Sequence, residues 1–416
     1  MSPKVPEINI PIISGIILMM GGFAMGLTLA YSSPTLDEIQ TQFKLSSMGR
    51  SMFVACSPLA GFVGSPLISI LVINRYGKNV AGVIAGFIGA FAYIGMGLSQ
   101  VTWLLFLMRV LTGMSNLGFY SAICPVYLAE IAPEGKSGFY GFLNQVGLCL
   151  GFLFSTIFGF FAKRSLLAYI CSIPSFIFMI GIIFIPSKDN QAKIKTKFSL
   201  IFKYKKKLVI AFFCMFFLQF SGLNAILGNL QPIIESSKVG MESKYVALIA
   251  NIVQVIATFV ATFLIDKLGY RLCWIVSTIG QFIAFLLLFF QQQFTLAGAM
   301  FMVGLFLEQF AYGIGTGPIP FSYVSQIFNS EVRSIASSLA TACSWLLSAI
   351  VCFLWPVLED AMNNYSYIFF AVLLLASAIF GFFAIVNTKK DDESSSSSES
   401  ITRRLSKRTE DDDYQI

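Results

Sequence analysis

Two ionisable side chains, Arg109 and Glu308, stand inside long apolar runs of this chain. A charge at bilayer depth is costly, so each is expected to serve a pairing, a polar solute or a proton. Tyr312 and Gly315 follow Glu308 at four and seven residues, which puts it on the helix face that carries the glycines. It could ligate a solute hydroxyl, titrate as a proton carrier, or sit protonated or paired within a bundle. None of the 416 residues is histidine, which removes the commonest metal ligand and the usual near-neutral base. The eight cysteines (Cys56, Cys124, Cys149, Cys171, Cys214, Cys273, Cys343, Cys352) show no C-x-x-C spacing and read as small apolar packing residues. No metal, no cofactor and no enzymatic chemistry are expected. What remains is a set of amides within apolar runs, Gln145, Gln219, Asn224 and Gln254. A buried amide in a bilayer needs partners, and a polyhydroxyl ligand supplies both donors and acceptors. The plainer alternative for each is that it glues helices together.

The elements that position these groups follow from composition. Apolar residues make up 56% of the chain and charged ones only 12%, too few for the shell of a soluble protein of this length. Apolar runs near 9–31, 48–73, 80–99, 103–127, 138–162, 165–186, 208–235, 244–265, 272–292, 295–323, 334–358 and 365–387 predict twelve spans. The seventh is interrupted by Gly222, Asn224, Gly228, Asn229 and Pro232, the tenth by Gly313, Gly315, Gly317, Pro318 and Pro320. Broken helices at membrane depth persist only where freed backbone groups line a cavity or meet protein. The stretch from Arg109 to Gln145 reads as a hairpin that seals one side of a cavity. A helix breaks at Pro125, a polar patch with Glu130, Pro133 and Lys136 follows, and the chain re-enters an apolar helix.

Twelve spans return the chain to its starting side. Eight lysines between 188 and 207, with Arg75, Lys78, Lys136, Lys267, Arg271, Arg333, Lys389 and Lys390, mark that side as cytosolic for both termini. The net charge of +7 is thus a matter of topology and calls for no nucleic-acid partner. The first span shows no cleavage site and is expected to stay as an anchor, giving an integral protein of the plasma membrane. INRYGK (Ile73–Lys78) is echoed by IDKLGYR (Ile265–Arg271), and PVYLAEIAP after span four by PFSYVSQIF (Pro320–Phe328) after span ten. Such matched loops mark a duplicated six-helix unit. The expected fold is therefore an all-α membrane protein, with twelve helices in two pseudo-symmetric six-helix bundles. Residues 1–187 form the first bundle, 188–207 a short basic linker, 208–388 the second bundle and 389–416 a disordered tail. In the tail, Arg403-Arg404-Leu405-Ser406 could take a kinase and Tyr414-Gln415-Ile416 an adaptor, or both are plain solvated chain.

Over nearly all of residues 20–345 the chain resembles the sugar-porter branch of the major facilitator superfamily. The resemblance is carried by the RxxxG…PxYxxEIAP…G…Q pattern from Arg109 to Gln145, by Ser221, Gly222 and Asn224, and by the GxGxGPIP block from Gly313 to Pro320. It implies alternating-access transport of a sugar, most simply a hexose such as glucose. It places Gln145, Gln219, Asn224, Gln254, Phe321 and Trp345 in the sugar site, with Asn229 and Ser344 at neighbouring positions that depart from the family pattern. Leu218 stands where a second glutamine is usual, and Gly228 and Asn229 replace an aromatic pair. Phe321 replaces a tryptophan, and Ser344 an asparagine, so the identity of the sugar does not carry over.

The same resemblance makes Arg75, Lys78, Arg109, Glu130, Lys136, Asp266, Arg271, Gln326 and Arg333 a gating set, in which charges of the two halves pair when the inside is shut. Here Asn74 stands where an acid is common, Gln326 replaces a glutamate, and Ser137 beside Lys136 replaces an arginine. Partly exposed pairs are each worth about 1 kcal/mol or less, and the thinned set is expected to favour the inward-open state. In proton-driven relatives Arg109 faces a carboxylate on span one, where this chain has Ala24. Facilitated uniport is therefore the expectation. Alternatives are proton symport through Glu308, a non-transporting sensor, disfavoured by the short tail, and a porter of non-sugar solutes, disfavoured by the absence of site charges other than Glu308.

Overall fold

The computed structural model describes residues 10–186, 201, 203–223, 234, 237, 239–294 and 296–386, and most of these are helical with no strand among them. Asn224 and Asn229, most of the basic linker and the whole C-terminal tail fall outside the described residues. In a bilayer every backbone group must be satisfied within its own segment, so long apolar runs become helices. The N-terminal half has α1 (Ile10–Ala30), α2 (Ser32–Phe43), α3 (Ser47–Ile68), α4 (Lys78–Leu98), α5 (Thr102–Thr112), α6 (Tyr120–Ile131), α7 (Ser137–Gly159) and α8 (Arg164–Gly181). The C-terminal half has α9 (Lys205–Gln219), α10 (Ser243–Leu268), α11 (Tyr270–Phe294), α12 (Gly298–Ile314), α13 (Pro318–Ile327), α14 (Ser330–Met362) and α15 (Tyr365–Ala384). Among the described residues, ten candidate spans are long and apolar enough to cross a membrane. The α5–α6 run, with Arg109 inside it, and α9 complete two bundles of six.

Two local features depart from the sequence-based expectation. The fourth span does not break at Pro125: the helix runs through it to Ile131. The irregularity lies earlier, in a π-helical segment from Gly113 to Phe119, whose wider turns shift the helix register upstream of the proline. The loop after span one holds α2, an amphipathic helix that buries Ile39 and packs Leu36 and Phe43 onto the N-lobe core. Their spacing of three and four residues was the available signal. The tenth span breaks as expected: α12 ends at Ile314 and α13 starts at Pro318, a residue suited to a first helical turn.

Within the N-lobe, α1 and α7 approach so closely that a methyl group on Gly22 or Gly26 would collide with the carbonyls of Asn144 and Leu148. Close backbone approach through small residues is how membrane helices gain packing energy without a hydrophobic driving force. Gly26→Leu is expected to destabilise the lobe by about 1–3 kcal/mol or more through overpacking, seen as a lowered Tm in detergent. An unchanged Tm would contradict this account of the α1–α7 contact.

The lobes meet mainly along α3 with α14 and along α7 with α10. Ser65 Oγ donates to the Ser338 carbonyl across the first of these contacts at 2.9 Å. Both described ends lie on one face, here called the terminal face. There Asn79 holds the Ile185 carbonyl, Arg271 the Ile385 carbonyl and Tyr323 the Val386 amide.

Candidate functional site

A narrow central hollow lies between the lobes, with residues of both in its lining. Its polar lining is Gln145 of α7, Gln219 at the end of α9, Gln254 of α10, Tyr312 of α12, Trp345 and Ser348 of α14, while Phe321 of α13 adds a ring. None of the described lining residues carries a charge. Leu29, Leu148, Phe152, Leu218 and Leu223 supply the apolar remainder. Seven helices, α1 and α7 from one lobe and α9, α10, α12, α13 and α14 from the other, thus send side chains to the same space, as a site shared by two moving bodies requires.

Among the described residues, Gln145 and Gln254 are only partly satisfied by protein. Gln219 Nε2 donates to Ser344 Oγ at 2.8 Å, so Ser344 stands behind the site and orients the amide. Gln145 Nε2 reaches only Cys149 Sγ at 3.7 Å, a weak acceptor, and Cys149 in turn meets Thr258 Oγ1 at 3.6 Å. Gln254 has no hydrogen-bond partner among the described residues, although it is buried at 2% exposure. Donors and acceptors left spare in an otherwise closed pocket are what a hydroxylated ligand completes. Trp345 is held by Nε1 donating to Ser121 Oγ at 3.1 Å, and its ring lies 6.5 Å from Phe321, tilted by 38°. Tyr312 was noted in the sequence only as the neighbour of Glu308. Its place at the break of a GxGxGP span was the signal that could have found it.

Glu308 is not among the lining residues. It is fully buried inside the C-lobe, where Gln281 Nε2 of α11 and Gln309 Nε2 each donate to the carboxyl at 3.1 Å. Of its proposed roles, direct ligation of a solute hydroxyl has no geometric support.

The gating set divides. Asp266 of α10 crosses between lobes and accepts from the Gly138 and Phe139 amides at 2.9 and 3.1 Å, capping the N-terminus of α7. A carboxylate at a positive helix end is favoured both by the orphan N–H groups and by the dipole. Gln326 of α13 also crosses, donating to the Ser137 carbonyl at 3.1 Å and to Tyr270 Oη at 2.7 Å. The terminal face is therefore shut by hydrogen bonds to a helix end. Lys78 and Glu130 pair at 2.9 Å inside the N-lobe, and Lys78 lies over the Tyr127 ring. Arg271 and Arg333 bind the carbonyls of Ile385 and Phe328 in their own lobe. Arg75 and Lys136 are exposed.

Arg109 does not belong with the gate. It is buried at 1% exposure within the N-lobe, remote from the terminal face, and donates to the Thr28 carbonyl at 3.0 Å and Ser32 Oγ at 2.7 Å. The rings of Tyr31 and Phe53 flank its guanidinium at 5.7 and 5.0 Å. Among the described residues no carboxylate pairs with it. Carbonyls and aromatic faces neutralise the charge instead.

Converting Gln326 to Glu together with Ser137 to Arg places an ion pair where one amide–carbonyl bond now spans the lobes. The double variant is expected to slow opening of the terminal face by up to about fivefold, the weight of one partly exposed pair. Exchange rates of the α7 N-terminal amides check this, and unchanged rates would count against a thinned gate.

Two six-helix lobes around an uncharged central hollow define a membrane carrier of major-facilitator architecture. The chain belongs to the sugar (and other) transporter family, whose model matches residues 10–189 and 187–394. It is 26% identical over 430 aligned positions to the facilitated trehalose transporter Tret1 of Polypedilum vanderplanki, covering 89% of this chain and 84% of that one. It is 24% identical to solute carrier family 2, facilitated glucose transporter member 3, of Mus musculus, covering 84% and 81% of the two chains. In fold it matches the proton:xylose symporter XylE bound to 6-bromo-6-deoxy-D-glucose, with a TM-score of 0.79 at 19% identity over 91% of this chain and 96% of that one.

Proposed function

We propose that this protein carries a sugar, a hexose such as glucose, across the plasma membrane by facilitated uniport, its two lobes rocking about the central hollow. The observation that carries the reading is the meeting of Gln145, Gln219 and Gln254 with the rings of Tyr312, Phe321 and Trp345 around an uncharged space. Amides offer donors and acceptors together, and rings cover the C–H face of a pyranose. Asn224 and Asn229 are proposed to complete the site from the seventh span. Uniport is supported by Arg109, which has no carboxylate partner among the described residues, and by Glu308, which stands apart from the hollow. The basic terminal face is assigned to the cytosol. The test is counterflow of labelled glucose in proteoliposomes, with a panel of competing sugars and an external pH electrode. Counterflow without sugar-driven alkalinisation is expected. Alkalinisation would replace uniport by symport, and absence of counterflow with every sugar would remove the sugar-transport reading and leave a sensor or a carrier of non-sugar solutes.

A further inference from the structure

The C-lobe holds a buried polar chain that the hollow does not use. It starts at Glu308, which is fully buried with Gln281, Gln309, Thr316 and Ser277. Gln281 donates to the Glu308 carboxyl through Nε2 at 3.1 Å, and its Oε1 accepts from Thr316 Oγ1 at 2.8 Å. Thr316 lies in the break between α12 and α13, where its amide donates to Ser277 Oγ at 2.9 Å. Ser277 Oγ donates in turn to the Ala311 carbonyl at 2.6 Å, in the last turn of α12. The next residue, Gly317, is packed so near Gln145 that an added Cβ would stand 3.1 Å from its Nε2. Three side chains therefore lead from the carboxyl to the bend that borders the sugar-site amide.

Among the described residues no positive charge faces Glu308, and its carboxyl meets only the two amide N–H groups. The helices packed on α12 are α11 and α10. They present Ser277, Gln281 and Ala284, and Gln254, Ala257 and Thr258, all neutral. The charged residues of those helices, Lys244, Asp266, Lys267 and Arg271, stand at their ends. The titratable neighbours are Tyr312 on the same helix and, beyond it, Cys149 of α7. An unpaired carboxylate at such depth is costly, and a proton on the carboxyl removes the cost. An acceptor for that proton is at hand. Gln309 Oε1 is buried without a partner, and turning this amide presents that oxygen to Glu308.

We propose that Glu308 binds a regulatory proton which, through Gln281 and Thr316, holds the break of the tenth span in shape and sets how fast the lobes rock, without itself crossing the membrane. The rate effect rests on the transport reading above, whereas the proton site does not. Protonated Glu308 leaves the chain Gln281–Thr316–Ser277 intact. Loss of the proton leaves a bare charge that pulls on the Gln281 amide, the group that fixes Thr316. Glu308 acts here as a positioning residue.

The test uses the full chain in proteoliposomes with equal pH on both sides, comparing wild type, Glu308→Gln and Thr316→Val. Wild-type counterflow of labelled glucose is expected to fall about fivefold from mildly acidic to mildly alkaline buffer, the weight of one buried hydrogen bond. Glu308→Gln is expected to stay at the acidic rate throughout. Thr316→Val should also lose the pH dependence. Infrared difference titration reads the site without any sugar: a protonated-carboxyl band should be present in wild type and Thr316→Val and absent in Glu308→Gln. The proposal is overturned if that band is missing from wild type or survives in Glu308→Gln. It is equally overturned if Glu308→Gln keeps the wild-type pH profile, or if sugar drives proton uptake that Glu308→Gln abolishes. Should no sugar be exchanged at all, the transport reading fails while the infrared band still decides the proton site.

Discussion

Gln145→Leu is expected to weaken sugar binding by about a hundredfold, with little change in Tm. The residue is buried at 2% exposure and lines the hollow from α7. Leucine fills a similar volume but removes one donor and one acceptor. In the empty protein the loss is small, because the amide there meets only Cys149 Sγ at 3.7 Å. In the complex, two sugar hydroxyl contacts lose their partners inside a closed site, each worth about 1–3 kcal/mol when left unsatisfied. A site built to hydrogen-bond its ligand discriminates strongly for this reason. Titration calorimetry or sugar-induced change in tryptophan emission measures it, and Trp345 is one of only four tryptophans in the chain. Unaltered affinity in Gln145→Leu would mean that the hollow is not where the sugar binds.

Asp266→Ala is the counterpart at the gate. Its carboxylate holds two N–H groups at the start of α7, and this contact joins one lobe to the other. Hydrogen bonds to a charged acceptor are worth about 1.5–3 kcal/mol each, and partial exposure argues for the low end. Opening of the terminal face is therefore expected to become about tenfold or more easier. Hydrogen exchange at the Gly138 and Phe139 amides should accelerate by that factor, with Asp266→Asn in between because its amide oxygen keeps one acceptor. Equal exchange in all three forms would show that the lobes are held shut elsewhere. Gly138 belongs to the same device, since an added Cβ there would stand 2.6 Å from Asp266 Oδ1 and displace the carboxylate.

Much of this architecture can be read from the chain alone, for reasons that differ by element. The spans are legible because lipid forces each apolar run to satisfy its own backbone. The broken tenth span is legible because Gly315, Gly317, Pro318 and Pro320 cannot continue a helix. Pro125 misleads because the same residue type can be absorbed when a π-helical segment precedes it. Glu308 and Tyr312 mislead in another way. Positions four apart on a helix differ by one turn in depth and by roughly 40° in direction. That offset suffices to turn Tyr312 to the hollow and Glu308 to Gln281 of the neighbouring helix.

Composition, spacing and internal repeat determine a membrane-embedded, duplicated helical protein, since those properties reside in single segments and their solvent. The tertiary structure alone decides which charged residues do what. Arg109 and Asp266 both read as gate residues in the sequence, yet one is sealed among carbonyls and rings and the other spans the lobes to a helix end. The reason is physical. A charge takes its role from the groups within a few ångströms of it, and across two packed bundles those groups come from helices far apart in the chain.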